Sequence, residues 1–278
     1  MGIYSQPNAW LCGPFALKHA LLTVGIFEDE WSIARDAGTD QDGTDEIELA
    51  KAARVYGCDL GMLRRHHAED ARGELIRCLV EGHPVLLCVE QWDHWVTVVH
   101  HENGVFVLFD SRDPAVIREV AWGWLAEKWR YREESGEAHY DLHPLVPRRP
   151  AAVATFSLRR TRALVSAADP ELRRRWGRYG RGLITLACAT GSAVTVDLFA
   201  TSMSGFLRRH RSAVVDGLVK EMSPRVAPAA HRAIDHLCFV ADTYDFAVTT
   251  EDEGRLLDRV RELVAASVPP PVPRSPVY

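Results

Sequence analysis

The chain has 278 residues, is 47% hydrophobic and 26% charged, and carries a formal net charge of −5. That is the usage of an ordinary globular protein, and at this length roughly three quarters of the unfolded surface can be buried without a disulfide or metal staple. The mild acidity argues against a general nucleic-acid or membrane-surface binder, and the six cysteines, at 12, 58, 78, 88, 188 and 238, show neither pairing nor C-x-x-C spacing.

Met1 to Leu11 has no basic n-region and no apolar h-region, so no secretory signal is expected. Gln6 stands where a myristoylation motif wants Ser or Thr. The most apolar stretch, Gly182 to Ala200, holds Thr185, Thr190, Ser192, Thr195 and Asp197 and makes a poor membrane span. The expected setting is cytoplasmic, with reduced thiols.

Pro14 to Val24 is predicted as a helix, with Pro14 in its first turn and Gly25 as its stop. A second helix starts after Thr44, a candidate N-cap followed by Asp45 and Glu46, and ends at Gly57. A third covers about Ala71 to Val80. Three apolar runs follow, Pro84–Val89, His94–Val99 and Val105–Phe109, and Asn103-Gly104 is a strong hairpin signal. Helices followed by antiparallel strands give an α+β layout. His143 to Pro150 packs three prolines into eight residues, which reads as a linker. Residues 1–147 are therefore expected to form one domain and 151–266 an all-α domain of unknown role. Residues 267–278 should be a Pro-rich tail.

The chemistry concentrates in the first half. Cys12 precedes the first predicted helix, where free N–H groups and the backbone dipole favour a thiolate. Gln6, six residues upstream, can offer its amide to an oxyanion beside that sulfur. A free cysteine is most often a small buried hydrophobe, but helix entry and an upstream Gln shift the balance toward a nucleophile. A base and an orienting group are then needed. His94 opens one strand and Asp110 closes the next. A five-residue loop, His100 to Gly104, would pair Val99 with Val105 and face His94 toward Asp110. A tight Asn-Gly turn would instead place His94 opposite Asp113, because register sets the face.

The order Gln-x5-Cys-Gly-Pro, Gly-Thr-Asp-Gln-Asp-Gly-Thr at 38–44, Tyr56-Gly57, Gly82-His83-Pro84-Val85, Asp93-His94-Trp95-Val96 and the Asp110 segment resembles the bacteriocin-processing, double-glycine leader peptidases. These are papain-like cysteine peptidases, and the resemblance spans about residues 1–140. It implies a papain-like fold with Cys12 as nucleophile, His94 as base, Asp110 as orienter and Gln6 as oxyanion donor. It also implies a peptide or protein substrate, with cleavage after Gly-Gly as one expectation, and no cofactor or metal. Many relatives of this family are domains of ABC exporters, whereas this sequence encodes neither membrane helices nor a P-loop. Asp113-Pro114 duplicates a feature that relatives often place at the orienting aspartate, so Asp113 stays the reserve.

Other signals are weaker. Asp40, Asp42, Thr44 and Glu46 alternate like calcium ligands, but Gly43 does not suit an EF-hand loop. The histidine pairs 66–67 and 100–101 point apart in regular structure. From Arg148 to Gly182 there are ten arginines against Asp169 and Glu171, with Trp176 and Tyr179 among them. A solvated face is favoured over nucleic-acid binding, because arginine is this chain's general cation. Leu207–Met222 and Arg255–Ala266 look like bundle helices that could carry a protein partner. Two rivals to a peptidase keep the same half: transglutaminase or deamidase chemistry on the same triad, and a catalytically silent interaction module.

Overall fold

The computed structural model describes residues 1–166, 169–189, 200–249 and 253–268. The chain divides into two compact units, the first covering Met1–Arg178 and the second starting at Tyr179.

The first unit opens with three helices, α1 (Cys12–Thr23), α2 (Glu30–Ala37) and α3 (Glu46–Val55). All twelve residues of α1 are buried, which is why its sequence lacks a polar stripe. Asp29 caps α2 through the Trp31 and Ser32 amides. Asp45, rather than Thr44, caps α3, in a reciprocal capping box with Glu48. Short strands β1 (Cys58–Leu60) and β2 (Leu63–Arg65) lead to α4 (Ala68–Val80). Then come β3 (Val85–Val89), β4 (His94–Glu102), β5 (Val105–Phe109), β6 (Ile117–Ala121), α5 (Trp122–Trp129), β7 (Tyr131–Arg132) and β8 (Ala138–Pro147). The antiparallel sheet has the order β1-β8-β3-β4-β5-β6, with β2 and β7 also pairing β8.

Strand β3 is buried along its whole length because both faces are covered. Its alternate residues separate the two cores. Leu86 and Cys88 join the cluster built on α1, α2 and α3. Val85, Leu87 and Val89 join the cluster built on α4 and α5.

The proline-rich segment expected to be a linker is instead the end of β8. Val85 pairs with Pro144 and Cys58 with Pro147, and the first unit continues past residue 147. Ala154 N–H donates to the Thr23 carbonyl at 2.7 Å. Phe156 packs edge-on against Phe109, with ring centroids 5.1 Å apart, and Trp176 lies against Phe156. Helix α6 (Leu158–Ser166) follows, and the division between units falls within α7 (Pro170–Ala189).

The second unit is helical as expected, with α8 (Met203–Arg209), α9 (Arg211–Glu221), α10 (Ala227–Tyr244) and α11 (Glu253–Ala265). It adds a two-stranded ribbon absent from the sequence reading, β9 (Ala200–Ser202) paired with β10 (Ala247–Thr249). The expected tail lies outside the described residues from 269 onward. Among the described residues, no helix is long and apolar enough to cross a membrane.

Candidate active site

A 3-10 turn, Ala9–Leu11, feeds straight into α1, so Cys12 is the first residue of that helix. Its side chain is buried, with 6% exposure. Space at Gly13 is tight, since a Cβ there would sit 3.1 Å from Thr44 Cβ. The loop before α3 therefore lies directly against the start of α1.

His94 begins β4, opposite Val89. The turn between β4 and β5 is the tight one, with Glu102 paired to Val105 around Asn103 and Gly104. Both turn residues have positive φ, 52° and 77°, as a type I′ turn requires. The expected five-residue loop is thus not present. Undisturbed, this turn would set His94 across from Asp113. A bulge between Val98 and His100 shifts the register, so that Thr97 faces Phe109. One extra residue flips the face on which later side chains emerge. The bulge thereby puts Asp110 on the same face as His94, as a diagonal neighbour. The two side chains meet, with His94 Nε2 2.7 Å from Asp110 Oδ1 in a buried contact.

Asp110 is fixed from two further directions. The Arg112 N–H donates to Oδ1 at 3.0 Å, and the Arg118 guanidinium donates to Oδ2 at 3.3 Å. Asp113 is turned away. It accepts from the Ala115 N–H at 2.7 Å and lies 3.7 Å from Arg118 Nε. The Asp110–Val116 loop closes on itself through Asp110 N–H to the Val116 carbonyl, at 2.7 Å. Val116 has φ 63° while fully buried, a costly backbone state for a β-branched residue that the surrounding core has to enforce.

With Nε2 engaged by Asp110, Nδ1 is the nitrogen of His94 left for the thiol; it is buried and has no other hydrogen-bond partner among the described residues. Burial acts to raise the Cys12 thiol, but interaction with the His94 side chain, then with the Trp95 and Gly13 backbone, outweighs it and the net shift is downward. Burial acts to lower His94, but Asp110 and Cys12 outweigh it and its pKa is raised. Asp110, pushed up by burial, is held below the usual carboxylate range mainly by His94. The three shifts share one sign pattern, that of a thiolate beside an imidazolium steadied by a carboxylate. Burial raises the Cys58, Cys78, Cys88 and Cys238 thiols instead.

Gln6 lies beside this group without pointing its amide at the sulfur. Its Nε2 donates to the Asn8 and Ala9 carbonyls at 2.7 and 3.2 Å, and its Oε1 accepts from Ser111 Oγ at 2.6 Å. Its backbone N–H donates to the Ser111 carbonyl at 2.9 Å. The loop before Cys12 and the loop after Asp110 are therefore stitched together.

Sequence reasoning missed Arg118, Ser111 and the turn before His94. Glu90, Gln91 and Trp92 have φ of 57°, 62° and 66° in succession, strain that is uncommon outside functional sites. Side chains hold it in place. Glu90 pairs with Arg112 and Lys128, Gln91 donates to the Arg130 carbonyl, and Trp92 stacks on Tyr131 at 4.5 Å. Nothing in local sequence marks these distant partners. The turn presents Trp92, 43% exposed, to a cleft of about 380 Å³ that also borders Thr44, Cys88 and Trp95. The Trp95 indole N–H donates to the Thr44 carbonyl at 3.0 Å.

The other sequence signals find ordinary roles. Trp176 and Tyr179 are buried, and Arg148 and Arg162 pair with Asp59 and Glu119. No group of three or more His, Cys, Asp or Glu among the described residues is arranged to hold a metal.

No protein-family model matches the chain, and no curated protein matches it. Solved structures do resemble half of it. The peptidase domain of Streptococcus ComA, a bifunctional ABC transporter of a quorum-sensing pathway, aligns at 15% identity and a TM-score of 0.40, over 52% of this chain and 98% of that one. A double-glycine motif protease from an AMS/PCAT transporter, solved with its leader peptide, aligns at 17% identity and 0.38, over 51% and 90%. The Streptococcus mutans ComA peptidase domain aligns at 15% and 0.34, over 51% and 98%.

Proposed function

We propose that the chain is a cysteine peptidase that cleaves a peptide or protein substrate through Cys12, His94 and Asp110. The observation that carries this is the buried His94–Asp110 contact at 2.7 Å, joined to a thiol shifted down and an imidazole shifted up.

The thiolate of Cys12 attacks the scissile carbonyl carbon, forming a C–S bond as the carbonyl electron pair moves onto oxygen. His94 gives its Nδ1 proton to the departing amine while the C–N bond breaks, leaving a thioester. Water, deprotonated by His94, attacks the thioester. The C–S bond then breaks and the thiolate–imidazolium pair returns. Asp110 keeps the ring oriented and stabilises its charge. Backbone N–H groups at the start of α1 stabilise the oxyanion. Gln6 joins them by exchanging its longer bond, to the Ala9 carbonyl, for the oxyanion. The motif order of the first half makes a Gly-Gly sequence the first substrate to try.

The test is mass spectrometry of the sites alkylated by iodoacetamide at pH 6. Selective labelling of Cys12, lost from the other thiols whose pKa values are raised, is expected. Equal labelling of every reactive cysteine removes the basis for catalysis.

A further inference from the structure

Ser111 follows the carboxylate that holds His94, yet its own contacts run to the other side of the nucleophile. It is 1% exposed and sits on the loop that the Asp110 N–H closes onto the Val116 carbonyl. Its backbone carbonyl accepts the Gln6 N–H at 2.9 Å, so the main chain already joins the two loops. The hydroxyl makes a separate bond, donating to Gln6 Oε1 at 2.6 Å.

That second bond acts on the orientation of the amide. Gln6 Nε2 faces the Asn8 and Ala9 carbonyls, at 2.7 and 3.2 Å, on the turn that leads into Cys12. An amide nitrogen only donates and an amide oxygen only accepts. Exchanging the two ends would therefore set Oε1 against two carbonyl oxygens. With Oε1 held by a hydroxyl, both N–H groups stay on the side of the turn. A donor on the amide oxygen also polarises the amide and strengthens what its N–H groups give. Without that donor the side chain loses the anchor at its far end and regains rotamer freedom.

We infer that Ser111 is a positioning residue for the oxyanion, its hydroxyl holding Gln6 so that the amide N–H meets the oxygen developing on the scissile carbonyl. The inference rests on the peptidase proposed above and adds a residue to it. Asp110-Ser111 then serves both halves of the chemistry in one two-residue step. The carboxylate steadies the imidazole, and the hydroxyl steadies the oxyanion donor.

The test compares two reactions of Cys12 in the full chain. With iodoacetamide the C–S bond forms as iodide leaves, and no oxyanion arises. With an N-blocked Gly-Gly para-nitrophenyl ester, the thiolate adds to the carbonyl and the electron pair moves onto oxygen. It then returns to expel nitrophenolate and leave a thioester. Alkylation of Cys12 is timed by mass spectrometry, and acylation by nitrophenolate release less that of Cys12→Ala. The ratio of the ester rate to the iodoacetamide rate cancels both the thiolate fraction and the folded fraction. Gln6→Ala should lower this ratio about a hundredfold, the cost of one oxyanion donor. Ser111→Ala should lower it about tenfold, since the donor is kept but loosened. The double variant should fall no further than Gln6→Ala alone, because the hydroxyl acts through an amide that is already gone. Ser111→Cys, similar in volume but a weaker donor, should lie between Ser111→Ala and the unaltered chain, and it decides the matter if Ser111→Ala does not fold. An unchanged ratio in the deciding variant, or a further drop in the double variant, overturns the inference. So does an unchanged ratio in Gln6→Ala, and in each case the peptidase stands. Failure of iodoacetamide to label Cys12 selectively overturns the peptidase itself.

Discussion

A cysteine at a helix start becomes a nucleophile only if something holds its proton elsewhere, and in the proposed mechanism His94 and Asp110 do so. The net downward shift of Cys12 keeps a thiolate at lower pH than an ordinary cysteine, and the upward shift of His94 keeps its proton at higher pH than an ordinary imidazole. Turnover should therefore be bell-shaped in pH, with its acid limb below the usual thiol range and its alkaline limb above the usual imidazole range. A single rise near pH 8.5, the ordinary thiol value, would count against the pair. Removing the sulfur in Cys12→Ala should abolish turnover and leave the thermal melt nearly unchanged, since Ala suits a helix start. Asp110→Asn should lower the rate on the order of a hundredfold or more, by favouring the wrong tautomer. It should also lower the pH of the alkaline limb, because Asp110 is the first group that raises His94. Asp113→Asn should do little, as its carboxylate bonds Ala115 and Arg118 rather than His94. A reversal of these two effects, read by pH-resolved kinetics, would assign the orienting role to Asp113.

Strand β4 and its partner show how far an element can be read from sequence. The apolar runs, the Asn-Gly turn and the residues His94 and Asp110 were all legible, because strand propensity and turn chemistry are local. The register between them is not legible in the same way: Asp110 comes to His94 through a tight turn plus a bulge at Val99, not through a five-residue loop. A bulge depends on what packs against both faces, and Val99 looks like any other strand valine. The same limit hid β8, where prolines in a short window read as a linker. There, Pro144 and Pro147 sit at positions that the paired strands tolerate. The turn itself makes a separable prediction. Gly104 has φ 77° with nothing within 4 Å of its would-be Cβ, so Gly104→Ala costs backbone strain alone, about 1 kcal/mol. The melting temperature should drop by a few degrees while Cys12 labelling at pH 6 persists, because the turn lies at the far end of the hairpin from His94. Loss of labelling would mean that the turn sets the catalytic register directly.

At the scale of the molecule, the question is where a self-sufficient folding unit ends. Composition placed the boundary near residue 147, whereas the compact unit runs to Arg178. The intervening segment completes a core rather than tethering two. Phe156, Leu158, Leu164, Leu172 and Trp176 are all buried in it. The chain's own N-terminus is clamped there too, with Ile3 N–H donating to the Arg173 carbonyl at 2.9 Å and Gly177 N–H to the Met1 carbonyl at 3.0 Å. Gly2 and Gly177 admit no side chain at this crossing, since a Cβ would lie 2.4 Å from the Arg174 carbonyl oxygen in one case and 2.6 Å from the Met1 carbonyl oxygen in the other. Each large apolar side chain removed from such a site forfeits roughly 1.5–3 kcal/mol, and a whole domain commands only about 5–15 kcal/mol. Deleting five of them should therefore consume the stability of the remainder. Residues 1–147 expressed alone are expected to lack a cooperative thermal transition and to label their cysteines indiscriminately. Residues 1–178 should melt cooperatively and keep Cys12 as the selectively alkylated thiol, because the segment that anchors Met1 and covers Phe109 is then present. A cooperative melt of 1–147 at the temperature of 1–178 would show that the added segment is peripheral and that the proline-rich stretch is the true edge of the first unit.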